Sequence, residues 1–404
     1  MGKLQIYGVF MQVKPSERLN GFMTYAFAEV DKAKEEARLN GFRVLDFGVG
    51  DPTEPLYENA IKGLQSGAER HKSSGYPSYI GMKEFRNAAS EWMHRRFNVS
   101  PDPNSQITST AGSKEAVFHL PFTFVNQGDN VLMPSIGYPP YKAGTVFAGG
   151  IPRFYQLKEE NGFLPDLNEI ESILREGRTK LIWINYPNNP TTAIAGDSFF
   201  SELISLSEKY DAIIASDEAY TEMYTNKIPR SILEYTDDWN NIIAFQSLSK
   251  RSNATGIRVG FAVGGKELIN YYRKFRTQID SGIPNAIQEA AISALNDEEH
   301  VRKMRDAYDK KRKLITSALD EVGIKYWADS TFYIWARSPS SSISFAKSML
   351  MLDNSAKIGI NITPGGMLAL GNAPNADNYF RLALVPSLED TELASRLIKE
   401  NLNM

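Results

Sequence analysis

The chain has 404 residues, with 45 Lys plus Arg against 48 Asp plus Glu, 42% hydrophobic residues and no cysteine. At ~150 residues per domain this is chain enough for more than one buried core, which excludes disordered, collagenous and disulfide-scaffold classes. The formal net charge of −3 leaves no basic excess for a nucleic-acid backbone, and the lack of thiols removes cysteine nucleophiles and thiolate zinc sites.

The start, Met1 to Gln5, lacks the positive region and apolar stretch of a secretory leader, so the expected compartment is the cytoplasm. A helix is predicted near Phe27–Leu39, on a segment with no sheet partner of its own. From about Ile107 to Ala262, short apolar runs alternate with helix-length amphipathic segments, the pattern of a mostly parallel sheet covered by helices. Predicted strands are Gln106–Thr110, Asn130–Met133, Leu181–Asn185, Ala212–Ser216, Ile242–Gln246 and Arg258–Val263. Several run straight into polar clusters: Ala111-Gly112-Ser113-Lys114, Tyr186-Pro187-Asn188-Asn189-Pro190, Asp217-Glu218-Ala219-Tyr220 and Ser247-Leu248-Ser249-Lys250. In open α/β sheets ligands bind beyond the carboxyl ends of the strands, so these clusters are expected to converge on one pocket.

A long charged helix is predicted over Glu299–Val322, then strands at Thr331–Ala336 and Tyr379–Val385 around Pro364-Gly365-Gly366. The fold class is therefore α/β, with a large mixed-sheet domain over 50–297 and a smaller α+β domain made of 1–49 and 298–404. No apolar run reaches the ~20 residues of a membrane span. His71, His94, His119 and His300 stand too far apart for a short metal motif, and no metal site is expected.

The chemistry concentrates in Ser247-Leu248-Ser249-Lys250, with Arg258 eight residues beyond the lysine. A lysine at a strand end, hydroxyls just before it and a guanidinium nearby suit a phosphate-bearing aldehyde cofactor: the amine forms a Schiff base and the rest holds the phosphate. Taken alone, Ser-x-Ser-Lys reads sooner as a solvated loop with a surface lysine, Asn189-Pro190 equally as a turn, and Asp217 or Ser113 also as a turn or helix cap.

The segment from Ser247 to Gly260 resembles the lysine signature of the class I/II aminotransferases, fold-type I enzymes dependent on pyridoxal 5′-phosphate. Gly112-Ser113-Lys114, Asn189-Pro190 and Asp217-Glu218-Ala219-Tyr220 precede it in that family's order. The resemblance implies transfer of an amino group from an amino acid to a 2-oxo acid, and it assigns roles residue by residue. Lys250 carries the cofactor and moves a proton. Asp217 pairs with the pyridine nitrogen, Tyr220 and Asn189 with the phenolic oxygen, and Tyr138 stacks on the ring. Gly112, Ser113, Lys114, Ser247, Ser249 and Arg258 surround the phosphate. Arg381 clamps the substrate α-carboxylate, with Asn189 and the backbone of Gly50 beside it. Tyr76 reaches the phosphate of the neighbouring subunit, which implies a homodimer with shared sites. The family's usual Asn-Pro-Thr-Gly is here Asn189-Pro190-Thr191-Thr192, a departure that bears on local backbone conformation.

Three stretches, around Thr24–Glu29, Gly48–Pro55 and Gln278–Asn285, resemble those of LL-diaminopimelate aminotransferases, which implies lysine biosynthesis as the setting. Tyr25 then matches a substrate-contacting tyrosine, or else packs before the first helix. Tyr79, Glu54 and the 278–285 loop become candidates for the wall facing the substrate's far end. Ser249–Asn253 also resembles N-succinyl-diaminopimelate aminotransferases. Aspartate or alanine transamination, other chemistry on the same cofactor and a cofactor-sensing role remain alternatives.

Overall fold

The computed structural model describes residues 14–20 and 25–402. In chain order the strands are β1 (Arg43–Asp46), β2 (Ile107–Thr110), β3 (Asn130–Pro134), β4 (Ile151–Tyr155), β5 (Thr179–Asn185), β6 (Ile213–Asp217), β7 (Ile242–Ser247), β8 (Gly260–Gly264), β9 (Tyr326–Trp327), β10 (Tyr333–Arg337), β11 (Ile358–Asn361), β12 (Thr363–Pro364) and β13 (Tyr379–Ala383).

The large sheet has seven strands in the order β2-β8-β7-β6-β5-β3-β4. Only β8 runs antiparallel to its neighbours. Leu181, Ile182, Trp183 and Ile184 of β5 are all fully buried, as a central strand covered on both faces requires. The one strand of this sheet not expected from the sequence is β4, Ile-Pro-Arg-Phe-Tyr, and its place explains why. It forms the sheet edge, where a proline without an N–H and an arginine are tolerated, so it carries neither an apolar run nor an alternation.

Register brings the carboxyl ends of β5, β6 and β7 side by side. Asn185 lies opposite Asp217 and Asp217 opposite Phe245, with Ser247 two residues further along β7. Two strand starts differ from expectation. Arg258 has φ +52° and Thr331 φ +60°, left-handed conformations that cannot continue a strand, so β8 begins at Gly260 and β10 at Tyr333.

The long helix spans Glu299–Glu321 and stops where Gly323 turns left-handed. Its buried face, Ile315, Ala318 and Leu319, packs in a second core with Leu45, Phe47, Ile334, Phe380, Leu382 and Leu397. The helix expected near Phe27–Leu39 covers Tyr25–Leu39, after a single turn at Glu17–Asn20, and the N-terminal segment does find a sheet partner: β1 pairs in parallel with β11. The antiparallel order β12-β13-β10-β9 completes this part. Ala219, Tyr220 and Met223 from the large sheet's carboxyl edge belong to the same core, which puts that edge against the second sheet.

Thr192 keeps a left-handed backbone, φ +65°, although it is β-branched. Its own contacts hold it there. The carbonyl accepts from Ser330 Oγ at 2.7 Å and the hydroxyl accepts from the Asp329 backbone N–H at 3.2 Å. The turn that glycine shapes in the family pattern is thus made here by cross-links to the loop before β10.

Candidate active site

A cavity of 730 Å³ opens at the carboxyl edge of the large sheet, between it and the smaller one. Most of the residues singled out in the sequence line it: Gly50, Ser113, Lys114, Tyr138, Asn189, Asp217, Tyr220, Ser247, Ser249, Lys250, Arg258 and Arg381. They arrive from separate strand ends, so only the fold unites them.

Ser247 ends β7, and its hydroxyl accepts from the Ser249 N–H at 3.2 Å, turning the chain into the short helix that carries Lys250. The Lys250 amine donates to the Gly50 carbonyl at 2.7 Å. Burial, reinforced by the charges of Arg381 and Arg258 and opposed by Asp51, lowers its pKa to about 8. An amine so placed is neutral often enough near neutral pH to act as nucleophile and base.

Asp217, the last residue of β6 and only 4% exposed, has no cationic partner among the described residues. Burial raises its carboxyl to about 6, against hydrogen bonds from Tyr141 Oη at 2.8 Å and the Ala219 N–H at 3.3 Å. Tyr141 is held flat against Trp183, with ring centroids 5.0 Å apart. Such a carboxylate is poised for a cation arriving in the cavity. The Tyr220 hydroxyl lies 3.2 Å from that of Tyr333, and burial pushes its phenol well above the usual range.

Arg381, on β13, is 7% exposed and donates to Asn189 Oδ1 at 2.8 Å and to the Gly48 carbonyl at 3.1 Å. Its Nε is buried without a partner among the described residues. Asn189 is thereby oriented, its oxygen engaged and its amide nitrogen left to donate.

Arg258 folds back over the start of the helix Gly112–Phe124, donating to the Ala111 carbonyl at 3.1 Å and to Ser249 Oγ at 3.3 Å. Gly112, at φ +73°, allows this approach, since a β-carbon there would lie 2.4 Å from Arg258 Nη2. The helix N-terminus, two serine hydroxyls and this guanidinium form one anion cradle. At the other end a β-carbon on Gly50 would lie 2.0 Å from Tyr333 Oη, so the cavity wall is built on bare backbone there. A buried carboxylate, a depressed lysine, phenol and amide donors and a phosphate cradle are together the donor set that pyridoxal 5′-phosphate requires.

Other expected residues fall elsewhere. Tyr76 is 91% exposed and lies away from this cavity. Tyr79, Glu54 and the 278–285 loop do not line it either: Tyr79 is 42% exposed, and Glu54 pairs with Lys311 at 3.2 Å. Tyr25 opens the Tyr25–Leu39 helix, but its side chain lies outside the described residues. The walls towards solvent instead include Asp31, Asp51 and Lys114, none of them in a hydrogen bond or ion pair among the described residues.

Sequence reasoning missed Tyr141, Asn185 and Tyr333. Tyr141 lies in the helix Pro140–Phe147, fully buried in apolar company, and reads as core, so its bond to Asp217 has no signature in the sequence. Asn185 Nδ2 donates to the Asp217 carbonyl at 2.7 Å, a cross-strand bond with no local signature.

The model of the family described as aminotransferase class I and II matches residues 43–397. An LL-diaminopimelate aminotransferase of Aquifex aeolicus is 43% identical over 386 residues, covering 95% of this chain and 98% of its own. One from Nitratidesulfovibrio vulgaris is 41% identical over 388 residues, covering 94% and 97%. Among solved structures, substrate-bound BacF of Bacillus subtilis superposes with a TM-score of 0.87 at 28% identity, covering 98% of this chain and 99% of its own. A probable N-succinyldiaminopimelate aminotransferase of Thermus thermophilus gives 0.84 at 26%, covering 93% and 100%.

Proposed function

Because the chain belongs to the class I and II aminotransferases, enzymes that use pyridoxal 5′-phosphate to move an amino group from an amino acid to a 2-oxo acid, we propose that its donor is LL-diaminopimelate and its acceptor 2-oxoglutarate. Identity of about 40% to enzymes named for that donor, over nearly the whole chain, carries the reading. The cavity supports it. LL-diaminopimelate has a distal ammonium and a distal carboxylate, and desolvating both without partners costs several kcal/mol. Asp31 and Asp51 offer carboxylates along the wall for the distal ammonium.

In this reading residues 50–297 form the cofactor domain and 1–49 with 298–404 the smaller one. The cofactor supplies an electron-withdrawing ring that stabilises the carbanion at the donor's α-carbon. Asp217 would keep the ring nitrogen protonated, Tyr138 would cover the ring face, and Tyr220 with Asn189 would donate to the phenolic oxygen. The cradle of Gly112, Ser113, Lys114, Ser247, Ser249 and Arg258 fixes the phosphate. Arg381 and Gly50 would hold the α-carboxylate, and the Lys250 amine would be the base that takes up the α-proton and hands it on. Tyr76, bare on one chain, completes the phosphate site of a second copy in a homodimer. No described helix is long and apolar enough to cross a membrane, and the protein is proposed to work in the cytoplasm.

A panel of amino donors with 2-oxoglutarate tests the substrate. LL-diaminopimelate should give the highest kcat/KM, with alanine and leucine slower by orders of magnitude because the polar wall would go unpaired. A panel led by N-succinyl-LL-diaminopimelate, aspartate or alanine would overturn the donor and leave the aminotransferase chemistry standing.

A further inference from the structure

Tyr333 is 2% exposed and touches three parts of the site at once. Its hydroxyl lies 3.2 Å from the Tyr220 hydroxyl. Its ring carries the Arg381 guanidinium 4.3 Å above the centroid. Its hydroxyl also fills the space where a side chain on Gly50 would begin, beside the carbonyl that accepts from Lys250. The strand register explains the reach: Trp335 of β10 faces Arg381 of β13, and Tyr333, two residues along, shares that face.

We propose that Tyr333 is a positioning residue with two separable parts: a ring that holds the plane of Arg381 for the substrate carboxylate, and a hydroxyl that donates to Tyr220 and strengthens Tyr220 as a donor. The direction of the bond follows from proton counting. Two facing hydroxyls share one proton, and if Tyr220 gives its own to the cofactor's phenolic oxygen, the proton between them belongs to Tyr333. Linked hydrogen bonds polarise one another in a low-dielectric site, so the outer hydroxyl acts on the cofactor through the inner one. The ring acts differently. Arg381 has its Nη atoms engaged by Asn189 and Gly48, and the aromatic face beneath fixes the remaining tilt of the fork.

This inference rests on the proposed roles of Tyr220 and Arg381, and the test separates the two levels. Tyr333→Phe, Tyr333→Leu and Tyr220→Phe holoenzymes are compared by the pH titration of the bound cofactor's absorption and by the affinity of the pyridoxal form for 2-oxoglutarate, with which that form does not react. Removing a donor destabilises the anionic phenolic oxygen, so Tyr333→Phe should move the titration midpoint upward by about half a unit, less than Tyr220→Phe, and leave 2-oxoglutarate affinity unchanged. Tyr333→Leu should move the midpoint similarly and also weaken 2-oxoglutarate about tenfold. A Tyr333→Phe midpoint equal to wild type, with Tyr220→Phe displaced, overturns the hydroxyl's role while the Tyr220 assignment stands. An unmoved Tyr220→Phe midpoint overturns both. Unchanged 2-oxoglutarate affinity in Tyr333→Leu overturns the ring's role.

Discussion

Replacing Lys250 with alanine should lower kcat by about 10⁴-fold or more, because one side chain supplies both the covalent anchor and the proton carrier. The fold should survive. Among the described residues the Lys250 amine makes one hydrogen bond, to Gly50, and it faces the cavity, so truncation enlarges a solvent-accessible space and removes a buried amine whose pKa burial had already lowered to about 8. Cofactor should still bind through the phosphate cradle and Asp217, now exchangeable on dialysis. Circular dichroism with absorption before and after dialysis checks this. Wild-type turnover in the variant, or a cofactor that stays covalently attached, would contradict the assignment.

Asp217→Asn should retain cofactor yet lose about 10²- to 10³-fold in kcat, since an amide cannot stabilise a cationic ring nitrogen in a buried site. The same variant has a second readout in the cofactor-free protein. Burial raises the folded-state pKa of Asp217 to about 6 from an unfolded value of 3.8. Between those values the native state binds more protons than the unfolded state, so this group's contribution to stability falls as pH rises through the window. Cofactor-free wild type should therefore lose urea resistance relative to Asp217→Asn between about pH 4 and pH 7. Bound cofactor, whose cationic nitrogen repays the charged carboxylate, should cancel or reverse that difference. Parallel midpoints at both pH values, or an unchanged kcat, would remove Asp217 from its role.

The parts of the fold that were legible share one cause. The runs ending at Asn185, Asp217 and Ser247 are apolar because their strands are buried on both faces, and they stop at polar residues because the cavity begins there. Where burial is one-sided or absent, the sequence carries less. Strand β4 sits on an edge and looks like a loop. Arg258 looks like the start of a strand because Val259 and Phe261 follow it, yet its left-handed backbone is what turns the guanidinium towards Ser249 and Ala111. Tyr333 and Tyr141 sit in apolar company and read as core until the distances to Tyr220 and Asp217 are known. Glu54 looks like a substrate ligand until Lys311, more than two hundred residues away in sequence, is seen beside it.

The most direct measurement takes the purified holoenzyme through its two half-reactions in a spectrophotometer. Adding LL-diaminopimelate alone should convert the cofactor's long-wavelength band to that of its amine form, with stoichiometric release of the corresponding 2-oxo acid; adding 2-oxoglutarate afterwards should restore the first band and yield an equal amount of glutamate. A band that does not change with any amino donor, or that changes without glutamate appearing on addition of acceptor, would contradict the account.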